Sequence, residues 1–104
     1  MEYMKYKSDK LKNLEKNRFS VFTNDLDHCY FCSQTRDDLH ELLNGRNRLN
    51  SMKWGFVLPL CRKHHIELHN DVKQSIEWKR KCQEYFESKY SYDLWMDIFK
   101  RNYK

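Results

Sequence analysis

Glycine and proline are scarce in this chain, with two glycines and one proline in 104 residues. With so few turn formers, and with abundant Lys, Glu, Leu and aromatic residues, short helices around a minimal sheet are expected. No apolar run approaches the ~20 residues needed to cross a bilayer, which argues against a membrane-spanning helix. The opening stretch MEYMKYKSDK lacks the apolar centre of a signal peptide. A cytoplasmic location without a membrane partner is therefore expected, where thiols stay reduced. Internal repeats and low-complexity linkers are also missing, so the length supports one small domain. Hydrophobic residues make up only 39% of it. A core that modest calls for a staple such as a metal or a disulfide.

Acidic residues are missing from one long stretch. None lies between Glu41 and Glu67, while Arg46, Arg48, Lys53, Arg62 and Lys63 are all basic. The first twenty residues add Lys5, Lys7, Lys10, Lys12, Lys16 and Arg18 against Glu2, Asp9 and Glu15. The formal charge of +5 is thus concentrated. A basic patch beside a metal site suits a polyanion such as nucleic acid, and the plainer alternative is a solubilising surface.

Several elements are readable from the residue pattern. Residues 1–18 form a basic arm or helix, with Leu11 and Leu14 at helical spacing. FSVFT (19–23) is β-prone and is expected as a short strand leading into a tight turn with Cys29 and Cys32. LHELL (39–43) reads as a strand and NGRNR as a polar turn. LNSMKWG forms a helical turn stopped by Gly55, and FVLPL (56–60) is a second strand whose Pro59 marks an edge or exit. A helix is expected from Arg62 to about Asn70, closing a core over 19–70. Asp71 with Gln74 three residues on caps the next helix. Trp78, Cys82, Tyr85, Phe86 and Tyr90 form its apolar stripe, and Leu94, Trp95, Ile98 and Phe99 continue the rhythm. Residues 71–104 thus form helices that cap the core or offer a dimer face. Cys82, inside the stripe, reads as a small buried hydrophobe rather than a ligand.

Four cysteines in a reducing compartment, two of them in C-x-x-C spacing, favour metal or redox chemistry. Cys29-x-x-Cys32 and Cys61-x-x-His64 are two ligand pairs on tight turns. Zinc takes four such donors in a tetrahedron, and a filled coordination sphere makes the metal structural. A redox C-x-x-C is the alternative, but no thioredoxin-like βαβ pattern surrounds it. With His64 used, His65 and His69 remain four apart on one helical face, where two imidazoles can hold a second cation in an open site. The alternative is a packed His65 and a surface His69. His40 lies in the strand after the cysteine turn, so closing the zinc site would bring it near both.

Together, a zinc-knuckle C-x-x-C, a histidine strand, a hairpin and LCxxHHxxxH resemble the HNH, or ββα-metal (His-Me finger), nuclease motif. RFSVFTNDLDHCYFC, LHELLNGRNRLNSMKWGFVLPLC, CQEYFESKY and IFKRNYK also resemble small HNH proteins of phages and prophages in low-GC bacteria. Phage RecA-dependent nucleases of the Ref type are more distantly similar. The resemblance covers roughly residues 18 to 104. It implies an α+β fold with a zinc-stapled ββα-metal core and flanking helices. It further implies a DNA phosphodiester hydrolase of phage or prophage origin, acting in the bacterial host cytoplasm. A divalent cation such as Mg²⁺, Mn²⁺ or Zn²⁺ would sit on the helix, and the strand histidine would act as general base. Arg46 and Arg48 follow the strand and are placed to grip the DNA backbone on either side; the alternative is that they are ordinary turn residues.

The chain departs from that pattern twice. Many members carry a ligand and a base together on the strand, whereas Leu39-His40-Glu41 has one histidine. His40 is expected as the base; alternatively it is a ligand and Glu41 takes the other role. The motif's middle asparagine is also missing from WGFVLPLC, leaving Asn47 and Asn50 as nearby candidates. A zinc module that binds DNA or a protein partner without catalysis is the competing expectation. A phage protein that inhibits a host factor is the third.

Overall fold

The computed structural model describes residues 9–104. Eight of the first eighteen residues, including Lys5 and Lys7, therefore lie outside the described part. The rest of that segment holds helix α1 (Asp9–Lys16), with Leu11 and Leu14 half-buried. Strand β1 (Asp38–Glu41) leads through a 3-10 turn (Gly45–Asn47) into α2 (Arg48–Lys53). Strand β2 (Val57–Leu60), α3 (Arg62–Asn70), α4 (Val72–Lys89) and α5 (Tyr92–Phe99) follow. The fold is small and α+β.

Among the described residues the sheet is one antiparallel pair, with Asp38 opposite Leu60 and His40 opposite Leu58. Leu42 N–H donates to the Phe56 carbonyl, extending the pairing past the strand ends. Gly55 ends α2 with φ +79°, and any Cβ there would run into the Phe19 ring. Glycine alone meets both demands. Both strands pack against α3, whose chain leaves β2 directly through Cys61.

FSVFT does not form a strand. Val21 N–H reaches the Gly55 carbonyl, but Phe22 N–H turns back onto Ser20 Oγ at 3.0 Å. A local side-chain bond of this kind competes with ladder pairing and ends it after one rung. Phe22 is used for packing and meets Trp78 edge-on at 5.3 Å, whereas Phe19 is 48% exposed.

The C-terminal helices cap the core. One hydrophobic cluster runs from Cys29 through Phe56, Leu58 and Leu60 to Phe86, Trp95 and Phe99. Trp95 stacks on Phe99 with centroids 4.0 Å apart and donates its indole N–H to the Arg101 carbonyl. Asp71 caps α4 by accepting from Gln74 N–H, and Ser91 caps α5 through Leu94 N–H. Fully buried Gln83 holds the tail, donating to Asn102 and accepting from Tyr103 N–H. Cys82 is fully buried within the stripe. Tyr90 departs from it: as the α4 C-cap it is 55% exposed and lies on Trp54 and Phe86. Among the described residues, no helix is long and apolar enough to cross a membrane.

Candidate metal centres

The cysteine turn is a tight loop built on the end of β2. Cys29 N–H donates to the Gln34 carbonyl and Ser33 N–H to the Cys29 carbonyl, with Ser33 at φ 65°. Tyr30 N–H donates to the Pro59 carbonyl at 2.8 Å. Proline has no N–H of its own, but its carbonyl ties the turn to the strand.

Cys61 sits immediately before α3 without using its side chain as a cap. Asp37 takes over that job, accepting from Arg62 N–H at 2.7 Å. Cys61 Sγ is thereby left for other partners. It lies 3.8 Å from Cys32 Sγ and 3.2 Å from His64 Nδ1, while Cys29 Sγ lies 3.5 Å from the same nitrogen. Metal bonds of about 2.3 Å to sulfur and 2.0–2.1 Å to nitrogen put tetrahedral S···S and S···N edges near 3.8 and 3.6 Å. The four donor atoms fit that figure, so Cys29, Cys32, Cys61 and His64 form a site able to hold a metal such as zinc.

Charge at the sulfurs suits the same purpose. Burial opposes ionisation of Cys29, but backbone N–H groups of Cys61, Phe31 and Cys32 outweigh it and lower its pKa to about 6. A thiolate is the form that binds metal. Around Cys32 the Gln34 backbone lowers the pKa, but burial and the neighbouring sulfurs win and raise it. A cation among the sulfurs would remove that repulsion. Cys82 has none of these features, and burial pushes its thiol strongly up.

A second cluster lies on the next face of α3. His40 from β1 sits 5.0 Å from His65 and 5.1 Å from His69, ring centre to ring centre. The ligating nitrogens of all three lie within 4.8 Å of one another. His65 Nδ1 meets Asp38 Oδ2 at 2.9 Å, and His65 Nε2 meets His69 Nε2 at 3.1 Å. A carboxylate at Nδ1 selects the tautomer with its proton there, leaving the Nε2 lone pair for a cation. Burial, then the charges of His65 and His69, lower the His40 pKa to about 4. His40 is therefore uncharged at neutral pH. With His69 exposed and the other two half-buried, this cluster is open where the first is closed.

A cleft of about 210 Å³ fronts the three histidines, with Asn44, Arg48 and Glu41 also in its wall. Glu41 Oε1 accepts from Arg48 Nε at 2.9 Å and from Arg18 Nη2 at 3.3 Å. Of the expected basic grip, only Arg48 lines this cleft. Arg46, Arg62 and Lys63 are exposed outside its wall, and Lys53 lies over Trp54 at 5.7 Å. Asn47 and Asn50 have structural work instead, donating to the Phe99 and Ile98 carbonyls. Asn44 is the asparagine that reaches the cleft. The sequence reading also missed Asp37 and Asp38, although paired acids just before LHELL were a visible signal.

Over 46 residues the chain is 47% identical to "Uncharacterized protein YdfU" of Escherichia coli (strain K12). That match covers 42% of this chain and 13% of the relative, so the chain spans a small part of that protein's length. No solved structure matches. Residues 1–94, nearly the whole chain and both clusters, match a family described as "Protein of unknown function (DUF968)". The chain belongs to the DUF968 family.

Proposed function

We propose that this chain is a metal-dependent endonuclease of the HNH type that hydrolyses DNA phosphodiester bonds. The observation that supports it is the convergence of His40, His65 and His69 from a hairpin and the following helix, backed by Asp38. In this reading β1, β2 and α3 are the ββα-metal unit, and the Cys29–Cys32–Cys61–His64 zinc pins α3 against the hairpin. The catalytic cation on the histidines would polarise the phosphate and stabilise charge on the leaving oxygen.

The protein's own groups divide the remaining work. Asp38 holds His65 in the ligating tautomer. His40 stands equally far from both partner rings, and its ligating nitrogen lies within 4.8 Å of theirs. We therefore assign His40 as the third ligand, in place of the base expected from the strand pattern. Glu41 Oε2 takes no part in either arginine bond. In this reading it accepts the proton of the attacking water.

Supercoiled plasmid incubated with Mg²⁺, Mn²⁺ or Zn²⁺ tests the reading. Wild type should nick, and His65→Ala and His69→Ala should lose at least ~100-fold in rate with the structural zinc retained. His40→Gln should weaken cation binding as well as rate. A fall in rate at unchanged cation affinity would return His40 to the role of base. No nicking with any cation would overturn the assignment. The competing reading, a zinc module without catalysis, predicts one tightly held zinc and no second cation.

A further inference from the structure

One ion-pair cluster beside the cleft is not explained by either metal centre. Arg48, opening α2, is held by two carboxylates. Its Nε donates to Glu41 Oε1 at 2.9 Å and its Nη2 to Glu15 Oε2 at 3.0 Å. Arg18 Nη2 shares the same two acceptors, at 3.3 Å to Glu41 and 3.5 Å to Glu15. Glu15 belongs to α1, which packs on α2 and lies N-terminal to the hairpin-and-helix unit.

Two features separate this from ordinary surface pairing. Glu41 and Glu15 are mostly shielded, with side chains 10% and 18% exposed, whereas Arg48 is 41% exposed. The carboxylates thus lie mostly inside, with Glu41 Oε1 and Glu15 Oε2 bonded to the arginines, while the guanidinium reaches the surface. Arg48 also lines the cleft of the three histidines. A guanidinium offers five N–H donors in a planar fork, and the two short bonds use two of them. Nη1 takes part in neither bond. A long side chain held at two points gives up little further freedom when it meets a ligand.

We propose that Arg48 grips a DNA phosphate at the mouth of the three-histidine cleft, and that Glu15 is the positioning residue that aims it. The proposal rests on the nuclease reading and adds two things to it: which cation of the basic stretch meets the phosphate, and a job for α1. Carboxylate bonds at Nε and Nη2 orient the fork and leave its other edge for two phosphate oxygens. The remaining basic side chains would supply only diffuse attraction.

The test is binding of a short DNA duplex to the zinc-loaded full chain, by fluorescence anisotropy across a salt series, alongside plasmid nicking. Arg48→Ala should weaken binding about 10-fold and flatten the log–log salt slope by about 0.9, the signature of one lost phosphate contact. Arg48→Lys keeps a charge but not the fork, so the slope should persist while affinity falls about 3-fold. Glu15→Gln is isosteric. It should cost about 3-fold in affinity, raise KM with kcat unchanged and leave the salt slope alone.

An Arg48→Ala protein with wild-type affinity and slope would overturn the grip. A Glu15→Gln protein with wild-type affinity, or one whose only change is a lower melting temperature, would overturn the positioning role. Binding with the expected Arg48 effect but no nicking would keep the grip and sink the nuclease. Nicking that is indifferent to Arg48 would do the reverse. A wild-type chain that neither binds nor nicks would sink both.

Discussion

The two clusters share a helix and adjacent residues, yet they are built on opposite plans. Cys29, Cys32, Cys61 and His64 surround one point with four donors, and two of the three sulfurs are buried. His40, His65 and His69 supply three donors at the edge of a cleft, with His69 exposed. Four donors fill a tetrahedron and exclude substrate, whereas three leave a position open. The polar surroundings differ in the same sense. Backbone N–H groups stabilise the Cys29 thiolate, while a side-chain carboxylate, Asp38, orients His65. One arrangement suits a metal enclosed by protein donors, and the other leaves part of any bound cation facing the cleft.

Removing a ligand from the closed site should have the largest effect. Structural zinc contributes about 10–16 kcal/mol in small zinc-finger peptides. That matches or exceeds the whole stability of a typical domain, roughly 5–15 kcal/mol. Cys61→Ala should therefore lose both zinc and its cooperative thermal transition. Metal analysis and circular dichroism read this directly, and a zinc-free chain that still melts sharply would contradict it.

Breaking the support of the open site should leave the fold standing. Asp38→Asn keeps the shape but weakens the acceptor for His65. Cation affinity at the histidines should fall about 10- to 100-fold, with a nearly unchanged melting temperature. Calorimetric titration with Mn²⁺ measures it, and an unaltered affinity would remove Asp38 from the site.

Acid should also separate the two plans. His40 titrates at about 4 in the folded chain, below its ordinary 6.5. As pH falls below about 6.5 the unfolded chain takes up the proton first, so the native state loses ground until about pH 4. The contribution is complete above pH 6.5 and lost on descending through pH 4, amounting to on the order of 2 kcal/mol. Without added divalent cation, wild type should lose that much more stability than His40→Gln between pH 6.5 and 4. Parallel pH curves for the two proteins would refute it.

The smallest effect tests the cysteine that belongs to neither cluster. Cys82→Ala should cost about 1 kcal/mol of packing and leave zinc content unchanged. Loss of zinc in this variant would mean that the ligand set is wrong.

Much of this was legible in the chain because it is local. The α3 bounds, the Asp71 cap over Gln74, the stop at Gly55 and the spacing of Cys29 with Cys32, Cys61 with His64 and His65 with His69 depend on residues within a turn or two. FSVFT misled because its β propensity competes with a serine two residues before Phe22, and the local bond won. Asn47 and Asn50 misled for the opposite reason. Their partners, the Phe99 and Ile98 carbonyls, lie some fifty residues downstream, where no spacing rule reaches. Glu41 showed as a strand acid beside His40, but nothing nearby announced that Arg18 and Arg48 would meet on it.

By itself, the sequence determined which atoms were available to bind metal and on which helical faces they fall, since helix and knuckle geometry follow from short-range backbone constraints. Tertiary structure decided that Asp38 backs His65, that Asn44 rather than Asn47 reaches the cleft, and that α1 braces Arg48. Each of these is a meeting of side chains from separate elements. Such meetings exist only once burial of the Phe56, Phe86, Trp95 and Phe99 core has set those elements against one another.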